Sequence, residues 1–267
     1  MSRVRSNSIG VYRIGVDSTT RHAGILDRLR SDGRVDVSTL AAALGTSEMT
    51  IRRDLEVLAE GGVLRRVRGG AVSLLNRGEE LPFAMREMEA PDAKRRMAAA
   101  VADLLKDGEA VVVDSGTTGL AVAHALTGRR LTVMPLSLHA LAPLSAGHST
   151  TLLVPGGTAR FGEGSLVGPM TEASLRGLRF DTVVLTCCGF SAREGVTAHD
   201  LQDAAVKRAA VASANRVVLV AEAAKLARTA LVVVCPAAEI DILVTETDVP
   251  DEAVAQLTAT GVDVVRA

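Results

Sequence analysis

From Arg21 onward, apolar residues recur at helical spacing. Ile25, Leu26 and Leu29 share one face of a helix that ends at Gly33. Val37, Leu40, Ala41 and Leu44 mark a second short helix, stopped by Gly45. Ser47 is placed to cap a third, whose Ile51, Leu55 and Leu58 stand at i, i+4 and i+7. The Gly61-Gly62 pair closes that helix. Residues 63–67 and 71–74 then read as two short strands about Gly69-Gly70, a hairpin pattern. Ahead of these elements, residues 1–20 carry no sustained periodicity. They read as a flexible extension, or, over residues 11–16, as one short strand.

A polar stretch with Pro82 and Pro91, residues 76–91, reads as a linker. Beyond it the rhythm becomes helix and strand in alternation. Helices are predicted over residues 92–106 and 117–126. Short apolar runs fall at 110–114, 131–134, 152–154, 182–187, 217–221, 231–234 and 242–245. Their hydrophobicity is continuous rather than alternating, as in strands buried on both faces beneath covering helices. The predicted fold class is α/β, with a winged helix-turn-helix over 21–75 and a mainly parallel α/β domain over 92–267.

Composition sharpens this division. The 267 residues have a net charge of −1, which conceals two opposite halves. Residues 1–77 hold 13 Arg, no Lys and 8 acidic residues, giving +5, and the remainder carries −6. A basic end on an acidic body implies different partners for the two. Hydrophobic residues at 48% and charged residues at 23% argue against a disordered chain. No apolar run reaches the roughly 18 residues of a membrane helix, and no secretory leader is evident at the N-terminus. Cys187, Cys188 and Cys235 fit neither a disulfide framework nor a zinc spacing, so a reducing, cytoplasmic setting is expected.

Three helices followed by a basic hairpin suit DNA. With Ile51, Leu55 and Leu58 inward, the third helix leaves Ser47, Glu48, Thr50, Arg52 and Arg53 outward, able to meet base edges and phosphates in a major groove. Arg65, Arg66 and Arg68 on the wing can follow the backbone. The sequence from Ser47 to Leu58 (Ser-Glu-Met-Thr-Ile-Arg-Arg-Asp-Leu-Glu-Val-Leu), followed by Gly61-Gly-Val-Leu-Arg-Arg-Val-Arg-Gly-Gly-Ala71, resembles the N-terminal signature of the DeoR family of bacterial transcriptional regulators. The resemblance implies a helix-turn-helix over about residues 35–54. Arg68 replaces a His usual in the family, keeping a donor and adding permanent charge. Arg52 and Arg53 can contact DNA, or Asp54 can pair with one of them as structural support.

The densest chemistry of the second half is Val113-Asp-Ser-Gly-Thr-Thr-Gly119, where a strand ends in an acidic residue and a hydroxyl-rich turn opens a helix. Backbone N–H groups there, with Asp114, Ser115, Gly116, Thr117 and Thr118, are expected to form a phosphate cradle and bind the effector. It is neither a Walker loop nor a dinucleotide fingerprint. Lys207 and Lys225 are two of only four lysines, each placed near strand carboxyl ends where an anion can pair with it, although a structural ion pair is the competing reading for Lys207. Cys187 and Cys188 read as strand-end cysteines rather than nucleophiles, since no sequence pattern nominates His199 as a base. The remaining histidines have no metal-ligand spacing, and no cofactor is implied.

Asp114-Ser-Gly-Thr-Thr118, Gly168-Pro169, Gly195-Val-Thr197, Ala205-Val-Lys-Arg208 and Leu219-Val-Ala-Glu-Ala-Ala-Lys225 resemble the sensor domain of the same family. The resemblance implies a fold similar to sugar-phosphate isomerases and CoA transferases, and a phosphorylated sugar or related metabolite as effector. Glu222, Ala223 and Ala224 replace the family's usual Asp and Ser residues, which points to an altered effector or a reduced affinity. The reading that follows is a DNA-binding regulator, most simply a repressor of a carbohydrate-utilisation operon. It acts as a homo-oligomer, dimer or tetramer, on operator DNA. The alternative is a sugar-phosphate isomerase-like enzyme with Asp114 as its base.

Overall fold

The computed structural model describes residues 18–60, 62–74, 81–226 and 228–267. The strand expected over residues 11–16 lies outside them. The chain divides into two compact units, Met1–Arg77 and Gly78–Ala267.

In the first unit, α1 (Ser18–Asp32), β1 (Arg34–Asp36), α2 (Val37–Ala43), α3 (Glu48–Glu60), β2 (Leu64–Val67) and β3 (Gly70–Ser73) follow in order. The three predicted helices are present, with α1 starting inside the segment read as an extension. Ile25, Leu29, Leu40, Ile51, Leu55 and Leu58 are all buried. Ser47 caps α3 as predicted, its Oγ accepting from the Thr50 N–H at 3.1 Å. The wing is a three-stranded antiparallel sheet ordered β1-β3-β2. β1 was not legible because three residues, Arg34-Val35-Asp36, carry too little pattern to register. Their pairing with β3 depends on Gly70, where a Cβ would lie 2.0 Å from the Val35 carbonyl oxygen.

The second unit begins with α4 (Phe83–Met88), then α5 (Pro91–Leu104), β4 (Ala110–Val113), α6 (Gly116–Leu126), β5 (Thr132–Pro135), α7 (Leu138–Ser145), β6 (Thr151–Leu152), β7 (Thr158–Ala159), β8 (Leu166–Val167) and α8 (Pro169–Arg176). It continues with β9 (Phe180–Thr186), β10 (Gly189–Ser191), β11 (Gly195–Ala198), α9 (Leu201–Ser213), β12 (Ala214–Val220), β13 (Val232–Cys235), β14 (Ile242–Thr245), α10 (Asp251–Thr258) and β15 (Asp263–Arg266). Seven strands form one parallel sheet, β15-β14-β12-β9-β4-β5-β6. Val183 and Leu185 enter one hydrophobic cluster and Val184 the other, so both faces are covered. That double burial is why the strands read as continuous apolar runs.

Two expectations are corrected. The run at 231–234 is not a strand of the parallel sheet. As β13 it joins a separate antiparallel sheet, β10-β11-β13, with Val233 exposed on one side. The part of the linker from residue 81 onward is folded structure: Leu81, Phe83 and Met85 are buried. Pro91 opens α5 at its first turn, where a missing N–H costs nothing, rather than breaking a chain in transit.

Candidate functional site

On the first unit, Ser47, Glu48, Arg52, Arg53, Arg65, Arg66 and Arg68 are exposed and Thr50 is half-buried. Ser47 Oγ and Thr50 Oγ1 lie 2.9 Å apart at the start of α3. Arg52 is held by Glu48 at 2.9 Å and Arg66 by Glu56 at 2.5 Å. Such exposed pairs contribute only about 0–1 kcal/mol and yield readily to a phosphate. Arg53, Arg65 and Arg68 form no ion pair among the described residues. Asp54 resolves the choice left open by the sequence. It is buried and takes Arg21 at 2.8 and 3.0 Å and His22 at 3.2 Å, so it braces α3 against α1 and leaves both Arg52 and Arg53 outward.

On the second unit, β4 delivers Asp114 to the head of α6. There Gly116, at φ +86°, turns the chain so that the first N–H groups of α6, which have no intrahelical partner, face a cavity of about 330 Å3. Gly119 allows α6 to close on the strand, since a Cβ there would lie 2.1 Å from the Asp114 carbonyl oxygen. Ser115, Gly116, Thr117, Thr118, Lys207 and Lys225 all line this cavity. The structure thus brings together six of the seven residues nominated for the effector.

Asp114 is the seventh, and it stands behind the wall. One carboxylate oxygen accepts from the Ser115 N–H at 2.8 Å. The other accepts from the Thr186 N–H and Oγ1 at 2.8 and 2.9 Å, and from Lys207 Nζ. Asp114 therefore shapes the turn and fixes Lys207. Lys207 also lies 3.5 Å from Asp203. Burial alone would lower the Lys207 ammonium, but the charges of Asp114 and Asp203 outweigh it, raising its pKa and keeping it protonated. Burial moves Asp203 the other way, upward, with Lys207 opposing.

Thr118 Oγ1 donates to Glu222 Oε1 at 3.2 Å, and Glu222 lies 3.3 Å from Lys225 and 3.6 Å from Lys94. Burial pushes this carboxyl up, yet the two ammonium groups prevail and hold it at about 2. Glu222 is the residue that replaces the usual Asp. Its carboxylate meets Thr118, Lys94 and Lys225.

Sequence reasoning missed Arg86, Arg160, Glu163 and Ser165 on the cavity wall. Arg86 stood in the segment read as linker. The other three lie between short strands with no periodic pattern, so nothing local marks them. Arg86 Nε donates to the Leu81 carbonyl at 2.7 Å, and its Nη2 pairs with Glu163. Arg160 lies 3.5 Å from Asp200, and the buried Ser165 hydroxyl has no hydrogen-bond partner among the described residues. Cys187 is buried and Cys188 half-buried at the cavity wall, while burial pushes the Cys235 thiol up to about 12. Among the described residues no cluster of His, Cys, Asp or Glu could hold a metal ion, and no helix is long and apolar enough to cross a membrane.

A winged helix with exposed arginines, followed by a parallel α/β unit with a polar cavity, suits a DNA-binding regulator with a sensor domain. Residues 21–77 match the DeoR-like helix-turn-helix domain and residues 89–247 the DeoR C terminal sensor domain. The chain belongs to the DeoR family of transcriptional regulators. It is 32% identical to the HTH-type transcriptional regulator GlpR of Haloferax volcanii, over 88% of this chain and 92% of that one. It is equally 32% identical to the glycerol-3-phosphate regulon repressor of Haemophilus influenzae, over 86% and 90%. Among solved structures, ribose 5-phosphate isomerase A of Methanocaldococcus jannaschii aligns at 16% identity over 51% of this chain and 54% of that one, with a TM-score of 0.38.

Proposed function

We propose that the chain represses a carbohydrate-utilisation operon and leaves its operator when a small phosphorylated sugar or polyol fills the sensor cavity. The observation that carries this reading is the 115–118 turn. The first turn of α6, whose N–H groups have no intrahelical partner, lines one polar space of about 330 Å3 together with the hydroxyl residues Ser115, Thr117 and Thr118 and the cationic residues Lys207, Lys225 and Arg86. That volume sits at the small end of ligand pockets. The carboxylates Glu163, Asp200 and Asp203 on the same wall can accept sugar hydroxyls. The names of relatives, glycerol-3-phosphate regulon repressor and putative aga operon transcriptional repressor, agree with this chemistry.

Release requires the effector to bind one arrangement of the protein better than the other. Operator half-sites would be read by a two-fold oligomer, so that a changed sensor arrangement misplaces paired recognition helices. The isomerase-like alternative is less well supported. The base nominated for it, Asp114, is committed to Thr186, Ser115 and Lys207 and does not line the cavity.

The test is operator binding to the chain's own upstream DNA with a panel of sugar and polyol phosphates. Thr117→Val removes a hydroxyl from the turn and is expected to raise the effector midpoint at least about tenfold, the worth of one hydrogen bond to a charged group. Operator affinity without effector should stay as in the parent. Undiminished release by effector would remove the turn from the site.

A further inference from the structure

Arg86 sits on the first helix of the second unit, and its guanidinium reaches the anion turn. Its Nη1 lies 3.7 Å from the position a Cβ on Gly116 would occupy. An anion seated on the turn therefore meets Arg86. That guanidinium is paired with Glu163. The two partners are not equally free to move. The Arg86 side chain is 8% exposed, and its Nε is tied to the Leu81 carbonyl. Glu163 is 25% exposed, on the loop between Gly162 and Gly164, both at positive φ. A carboxylate that gives up its partner here turns into water, whereas the buried guanidinium must keep an anion at all times. A phosphate offers that anion in a forked geometry.

The same loop also packs on α4 by a second route. Gly164 lies so close to His139 that a Cβ would be 2.7 Å from its Cδ2, and the His139 ring stacks on Phe83 of α4 at 3.9 Å. The far end of α4 is held by Lys94, whose ammonium donates to the carbonyls of Arg86 and, at 2.7 Å, Glu89. Lys94 in turn faces Glu222, the acceptor of Thr118. Both ends of this six-residue helix are thus wired to the cavity.

Resting on the proposed effector reading, we infer that Arg86 is the sensing residue of the cavity: the bound anion takes Arg86 from Glu163, and the released Glu163 loop, packed through His139 on Phe83, shifts α4. In chain order α4 is the first helix of the sensor unit.

The chain has no tryptophan, so Met88→Trp at the end of α4 installs a single reporter at a residue already 45% exposed. Inorganic phosphate is the probe, with bound phosphate measured separately by equilibrium dialysis on the full-length protein. Phosphate is expected to shift the Trp emission. Glu163→Gln, which removes the competing charge, should lower the phosphate midpoint about tenfold. Arg86→Lys, which keeps the charge but not the fork, should still bind phosphate while the emission change is lost. Phosphate bound with a silent reporter overturns the inference and leaves the cavity reading standing. So does a midpoint unchanged or raised in Glu163→Gln, the result expected if the pair were only structural. No phosphate bound by the parent overturns both readings.

Discussion

Glu222 shows how a single buried charge sets both local geometry and a pH limit. Its carboxyl titrates near 2, below its ordinary 4.5, because Lys225 and Lys94 outweigh the cost of burial. A depressed acid favours the folded chain above about pH 4.5, where the unfolded chain is also ionised. That contribution is lost as pH falls from there towards 2. The shift corresponds to a contribution on the order of 3 kcal/mol. Glu222→Gln is therefore expected to lower stability at pH 7 and flatten the acid side of the stability curve, as read by urea denaturation between pH 3 and 7. An unchanged acid limb would show that the pair with the lysines is not formed. Lys94 is shifted the other way from Lys207: burial dominates and lowers it, so its charge is a cost tolerated for the carbonyls it caps.

Among elements, the wing is the clearest case of what could and could not be read in advance. The helices of the first unit were legible because Ile25, Leu29, Ile51, Leu55 and Leu58 repeat at 3.6-residue spacing over several turns. β1 was not, because its place depends on Gly70 admitting a backbone carbonyl from a distant segment. Gly70→Ala would put a Cβ 2.0 Å from that oxygen. It should cost about 1–3 kcal/mol through forced separation of β1 from β3. Thermal unfolding of the first unit should move down, with the sensor unit's transition in place; a parental first transition would mean β1 is dispensable. In the second unit the parallel strands were legible from their double burial, and the 115–118 turn from its chemistry. The outer cavity wall was not. Arg86, Arg160 and Glu163 are brought together from two segments with no shared pattern, and only the folded chain shows that a presumed linker carries a guanidinium to the turn.

Across the whole molecule, the +5 and −6 halves assign separate roles to the two units. The basic unit gains affinity by displacing counterions, so operator binding should weaken steeply with salt. Arg53, which α3 presents without an ion pair among the described residues, is expected to contribute. Arg53→Ala should weaken operator binding and make the salt slope shallower by about one unit, measured by fluorescence anisotropy from 50 to 200 mM salt. An identical slope would show that this side chain does not reach a phosphate.

The order of strands in the large sheet also sets a timetable. Its centre is the pairing of β4 with β9 and of β9 with β12, joining segments that leave the ribosome tens of residues apart. Pairings so distant along the chain close late, and no sheet centre can form before residue 180 has emerged. The described elements of the winged helix all lie before Arg77, within the first unit. During synthesis the basic unit is therefore exposed first, and a nascent chain carries it before the sheet of the second unit has closed.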